Sequence, residues 1–571
     1  MTRLRVRPGT GLVLALLVFA VVLPTVRARS QEGEDADPPE VAIGERLFLE
    51  TRFAQFFAVR SGGDANAALI EGDPVMDTTA TMRRPLAGPF AGSSMNCRAC
   101  HLVDEQKGVI RGGNRTYADF ARRSPVPARE DNKRVTPRNA PPLVNASLDR
   151  PTFLLHFDGE FASVVDLVQG TLTGRNFGWL PAERSTAIAH IAHIVRDDDG
   201  TGQLAQEFGG AYRVVLGGIA PSIPPALRLP PAYRIDVDAA SDAEVLDAVA
   251  ALIEAYLSAL IFAQDESGAF NGSPYDAFLR LNNLPRQPDP GESDLAYSRR
   301  LRSLVESLGS SFAALADSAG RGHRRIRFVT PRDGTLALLT QPFVFGPLEL
   351  DGLKAFLREG MAPPSRRALR TGGVGNCVVC HPAPRFTDFA FHNTGAAQDE
   401  YDAIHGPGAF MALRIPDLAE RSADPDRYLP PTPLHPEAAG PFLDVPARGR
   451  PELTDLGLWN VFGNADIPGP QAALLQVLCP VGSCDPAALL PRTVATFKTP
   501  GLRTLGMSAP YLHTGRATRL EDVLDLYARS SRLAREGALR NASPPMLGMV
   551  LADRDLAALV AFLKSLNEDY E

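Results

Sequence analysis

Two short motifs carry the chemistry of this 571-residue chain: Cys97-Arg98-Ala99-Cys100-His101 and Cys377-Val378-Val379-Cys380-His381. Two thiols three residues apart with an adjacent histidine are the attachment pattern of c-type haem. Each thiol can add to one vinyl group of a porphyrin, and the neighbouring imidazole then reaches the iron. Zinc and a thioredoxin-like pair are the rival readings. Zinc asks for further ligands close by, and only His392 lies within about fifteen residues of either pair. A thioredoxin pair follows a strand in an α/β pattern, which this chain lacks. The remaining cysteines, Cys479 and Cys484, sit in a Pro/Gly-rich loop. An oxidising compartment favours a small disulfide between them over two thiols.

The residues around these motifs show what must hold them. Arg3, Arg5 and Arg7 precede an apolar run from Gly11 to Leu23, and Val26-Arg27-Ala28 offers a small-residue cleavage site. This reads as a signal peptide over 1–28, with an uncleaved anchor as the alternative. Either way the body lies outside the cytoplasm, where haem is attached. Residues 29–38 are an acidic linker. The formal net charge of −7 and the lack of a basic stripe argue against nucleic acid. No other run is apolar enough to span a membrane.

Helical periodicity dominates the rest. Val41 to Phe53 places Ile43, Leu47 and Phe48 on one face. Asp242 to Phe262 opens with the Ser241/Glu244 capping pattern. Further helices are expected at Asp294 to Ser318, at Leu350 to Glu359, and at Asp553 to Leu566 with Asp553 as cap. Strand signals are sparse: 211–218 as a short strand or loop, and 325–331 with 336–345 as a small hairpin. The fold class expected is mainly α, two cytochrome c-like haem domains with long loops and insertions. Their bounds are 39–285 and 346–571, joined by a segment at 286–345. The order helix, CxxCH, loop-rich stretch, helix occurs twice.

Phe497-Lys498-Thr499-Pro500-Gly501-Leu502-Arg503, Pro510-Tyr511-Leu512-His513-Thr514-Gly515 and Leu520 to Val523 resemble the di-haem cytochrome c peroxidase and MauG family. So do Cys380 to Gly395, the Val41 to Phe53 segment and the C-terminal LVAFLKSL. The spacing of the haem motifs is wider than in compact peroxidases, which places extra material near 200–235 and 286–345. The resemblance implies that the second haem takes its second axial ligand shortly after His513. Tyr527 stands there, as in MauG-type enzymes, where peroxidases carry methionine. Met361, Met507, Met546 and Met549 are the other possible thioether ligands, with packing as their ordinary role.

The resemblance also implies that the His101 haem is the reactive one, binding hydrogen peroxide or dioxygen. The His381 haem would then pass electrons from a small redox protein. No histidine follows His101 until His156. In the stretch from Arg138 to Phe161, Phe157 replaces the family's tryptophan between the haems, and the family's distal Gln and Glu find no clear match. His156 and Glu160 are candidate acid–base groups in their place; bonding to backbone or a propionate is the plainer role. His392 and His513 are expected to bond a propionate or the backbone, and His190 and His193 to lie on a surface or pack. A calcium ion sits between the domains in relatives, so one is implied here without named ligands. Two alternatives remain: an electron carrier without turnover, and an oxidase acting on a protein side chain or organic polymer.

Overall fold

The computed structural model describes residues 37–68, 95–101, 126–310, 326–336, 339–503 and 505–568. The leader over 1–28, nearly all of the acidic linker and the stretch just after His101 lie outside them. The fold is helix-rich, and the one sheet among the described residues is a two-stranded antiparallel pair, Phe391–His392 with Phe497–Lys498. Among the described residues no helix is long and apolar enough to cross a membrane.

The first half rests on the helices Pro39–Phe48 and Asp242–Ala259. Proline at the first position of the former costs no hydrogen bond, and Glu40 faces its positive end. Ser241 and Glu244 close a capping box on the latter, as its sequence implies. The two cross where Gly44 meets the carbonyl of Leu252, with no room for a β-carbon. The second half repeats this device. Helices Pro347–Leu357 and Asp553–Lys564 cross where Gly352 meets the carbonyl of Ala558. The coarse duplication in the sequence is therefore a duplicated helix crossing.

Several local expectations change. Asp553 is the first residue of its helix rather than its cap; Asp555 accepts the Ala552 N–H at 2.8 Å and the Gly373 N–H at 2.6 Å. Residues 211–218 form a helix, Tyr212–Gly217, and not a strand or loop. The Asp198 carboxylate takes the Tyr212 N–H at 2.9 Å, Val215 and Leu216 turn inward, and Gly218 ends the turn at φ 69°. The expected hairpin reduces to one antiparallel bridge, Val329 with Phe345. The helix starting at Asp294 runs to Ser310, and the rest of its expected span lies outside the described residues.

Among the described residues three large apolar cores result. One gathers residues from Val41 to Leu260 and another residues from Tyr275 to Leu566. The third, around Trp459, is built mostly from Ala397 to Ala495, in the stretch connecting the two short strands. This third core carries the Cys479–Cys484 disulfide, as expected.

Candidate haem sites

Each motif folds as a 3₁₀ turn, Cys97–Ala99 and Cys377–Val379. The Cys100 and Cys380 amides bond back to Cys97 and Cys377 at 3.2 Å, and those of His101 and His381 at 2.9 and 2.8 Å. In the second motif both cysteines and the histidine line one cavity. Burial, then the neighbouring sulfur, pushes the Cys97 and Cys377 thiols up to about 12. Such surroundings disfavour a thiolate, the form zinc requires, and suit a neutral thioether.

Both histidines are held neutral. Burial, and then His156, pushes His101 down to about 4. Burial also lowers His381, against the pull of the Phe386 carbonyl. His381 Nδ1 donates to that carbonyl at 2.9 Å, which leaves Nε2 as the free lone pair. Phe386 holds the left-handed conformation that aims its carbonyl there, at φ 55°.

One cavity of about 370 Å³ reaches both halves. Its wall includes Leu143, His156, Phe157 and Val164 from the first half and Cys377, Cys380, His381 and Tyr527 from the second. Apolar walls beside two thiols and a neutral imidazole fit a covalently held porphyrin. Tyr527 projects from the helix Leu520–Arg535, and burial raises its phenol above the ordinary tyrosine value. Met507, Met546 and Met549 line the same cavity. Met361 is 82% exposed and is excluded as a ligand there.

His156 and Glu160 are brought together, Nδ1 to Oε2 at 3.1 Å. They occupy a seven-residue loop closed by a bridge between Leu155 and Phe161. A second loop, closed between Tyr511 and Ala517, has the same form. His156 and Leu512 share a left-handed backbone at φ 62° and 70°, and Gly159 and Gly515 lie at 73° and 67°. Phe157 and His513 are thus equivalent positions. Each gives its carbonyl to the other half: Asn139 N–H to His513 and Lys498 N–H to Phe157, both at 2.7 Å.

Residues the motifs did not announce lock this junction. Arg138 bonds Asp158 and also grips Asp455 at 2.6 and 2.8 Å, although Arg138 and Asp455 lie 317 residues apart. No local spacing signals such a pair. His513 stacks on Phe497 with ring centres 4.0 Å apart, and its Nε2 makes no hydrogen bond. His392 bonds the Asp388 carboxylate at 2.7 Å. Among the described residues neither ring bonds the backbone, one of the two roles expected of them. Burial works against a charged His392, yet Asp388 and Cys380 outweigh it and hold the ring at about 10. His190 bonds the Arg52 carbonyl and His193 bonds Asp197, the packing and surface roles expected.

No family model matches the chain. A cytochrome-c peroxidase of Denitromonas iodatirespirans is 29% identical over 196 residues, 34% of this chain and 37% of the relative. A cytochrome-c peroxidase of a Pseudomonas species (strain SCT) is 34% identical over 77 residues, 14% of this chain and 19% of the relative. The matches thus span well under half of either relative. Among solved structures, the diheme peroxidase BthA of Burkholderia thailandensis aligns over 94% of this chain and 87% of its own, at 16% identity and TM-score 0.41. A MauG-like protein associated with microbial copper homeostasis aligns over 94% and 91%, at 16% identity and TM-score 0.40. The curated relatives belong to the peroxidase family that the motifs resemble.

Proposed function

We propose that this chain is a periplasmic di-haem c-type oxidoreductase of the peroxidase and MauG kind. The observation that carries the reading is the pair of matching CxxCH turns, with a neutral histidine in each. Residues 39–285 hold the first haem and 346–571 the second, joined through 286–345. Cys97, Cys100 and His101 hold one group, and Cys377, Cys380 and His381 the other. When bound, haem supplies one-electron chemistry and a site for peroxide or dioxygen.

The chain's own residues set the rest. Tyr527, in the same cavity wall as His381, would serve as a second protein ligand to the group held there. His156, oriented by Glu160, accepts a proton from bound peroxide and returns it to the departing oxygen. Two electrons and two protons convert one peroxide into two waters, with a small redox protein as electron source. A calcium ion between the halves belongs to the same reading.

Cyanide binding and turnover test it. The matured protein is expected to show one high-spin site that binds cyanide, and to oxidise a reduced cytochrome with hydrogen peroxide. His156→Gln should lower kcat about 10²–10⁴-fold with both haems retained. Two low-spin haems inert to cyanide would instead indicate an electron carrier. Phe157, hard to oxidise where the family has tryptophan, favours that second reading. Cyanide binding without peroxide turnover would indicate an oxidase of protein side chains or organic polymers.

A further inference from the structure

The cavity wall near the second motif carries two cations that lack an anion. Arg150, from the first half, lies between the rings of Phe153 and Phe389, with its guanidinium carbon 4.0 and 4.5 Å from their centres. Its Nε and Nη2 are shut off from solvent and meet no hydrogen-bond partner. Lys498, on the second short strand, lines the same cavity. Among the described residues no carboxylate forms an ion pair with Arg150 or Lys498.

Their surroundings offer no relief. Arg385 is the third cation here, and it is already satisfied by Asp294 at 2.7 Å and by the Asp149 carbonyl at 2.6 Å. Glu568, a carboxylate in the cavity wall, bonds Arg503 at 3.1 Å. Burial, then Arg385, pushes Arg150 down to about 10, and burial, then Arg150, pushes Lys498 down to about 7. Half-buried like charges without a counter-charge are unfavourable, and a bound anion offsets that cost.

We infer that Arg150 and Lys498 are a carboxylate-binding pair that receives a propionate of the haem attached at Cys377 and Cys380. The inference rests on the di-haem reading above. Arg150 brings a planar guanidinium to the cavity wall, the group whose shape matches a carboxylate, and Lys498 adds a point charge. Because Arg150 comes from the first half, a haem held by the second half ties the two together. Two cations beside the ring also favour its reduced form, so the pair raises the midpoint potential of that haem.

The test uses the matured full-length protein and its Lys498→Met, Arg150→Gln and Lys498→Arg variants. Haem per chain is read from the pyridine haemochrome. Midpoints are read by spectroelectrochemistry at mildly acid pH, in low and high phosphate. The expected result is two haems per chain throughout, with one midpoint shifted down in Lys498→Met and Arg150→Gln, kept in Lys498→Arg, and indifferent to phosphate. Two haems with both midpoints unmoved in the first two variants would overturn the inference. A midpoint that follows phosphate would assign the pair to a free anion and overturn the propionate assignment. Fewer than two haems in the parent protein would reject the di-haem reading itself.

Discussion

Tyr527 shows what a single residue can decide. Its side chain is half-buried and lines the cavity that His381 also lines, in a wall that includes Met546 and Met549. A phenolate oxygen is a harder ligand than thioether sulfur and favours ferric iron. Tyr527→Phe is therefore expected to raise one midpoint potential and to alter the visible spectrum of that haem alone; an unchanged spectrum removes Tyr527 from the ligand set. At this scale the chain was readable where chemistry has a fixed spacing. Cys97 to His101 and Cys377 to His381 are found by counting along the chain, and the 14-residue step from His513 leads to Tyr527, a side chain of the cavity wall. Arg150 and Lys498 could not be found that way, because their meaning lies in which groups surround them and in what is missing there.

Among the elements, the two helix crossings carry the clearest expectations. A β-carbon at Gly352 would run into the Ala558 carbonyl, which belongs to backbone and cannot step aside. Gly352→Ala should cost about 1–3 kcal/mol, read as a lower Tm. Gly469→Ala, with open space around it, should leave Tm unchanged. At the end of the first helix, burial alone would raise the Glu50 carboxyl, but Arg52 and Tyr212 pull it down to about 2. That value lies below the ordinary 4.5, so its contribution is complete above pH 4.5 and is lost as the pH falls towards 2. Glu50→Gln should flatten the stability profile in that window, measured by urea unfolding at each pH. Periodicity gave the long helices correctly because their apolar stripes are local. It missed the helix Tyr212–Gly217, whose first N–H is satisfied by Asp198 from an earlier segment. It also missed the core around Trp459, since nothing in a run of short helices and prolines says which of them pack together.

The whole molecule is held at the junction of its two halves. Arg138 stands between Asp158 and Asp455, one from each side, and all three are largely buried. Arg138→Gln leaves two buried carboxylates without their cation, a loss of about 3–5 kcal/mol. Hydrogen exchange should then quicken at the Asn139 and Lys498 amides, which cross the same junction; protection equal to that of the parent protein would show that Arg138 does not hold it. These two crossing amides have a mechanical consequence. Each bonds a carbonyl in a loop whose counterpart it sits beside, so displacing either loop pulls on the strand that flanks the other. A shift of one loop would thereby reach the other as a small movement of backbone, a link between the two halves made of two amide bonds.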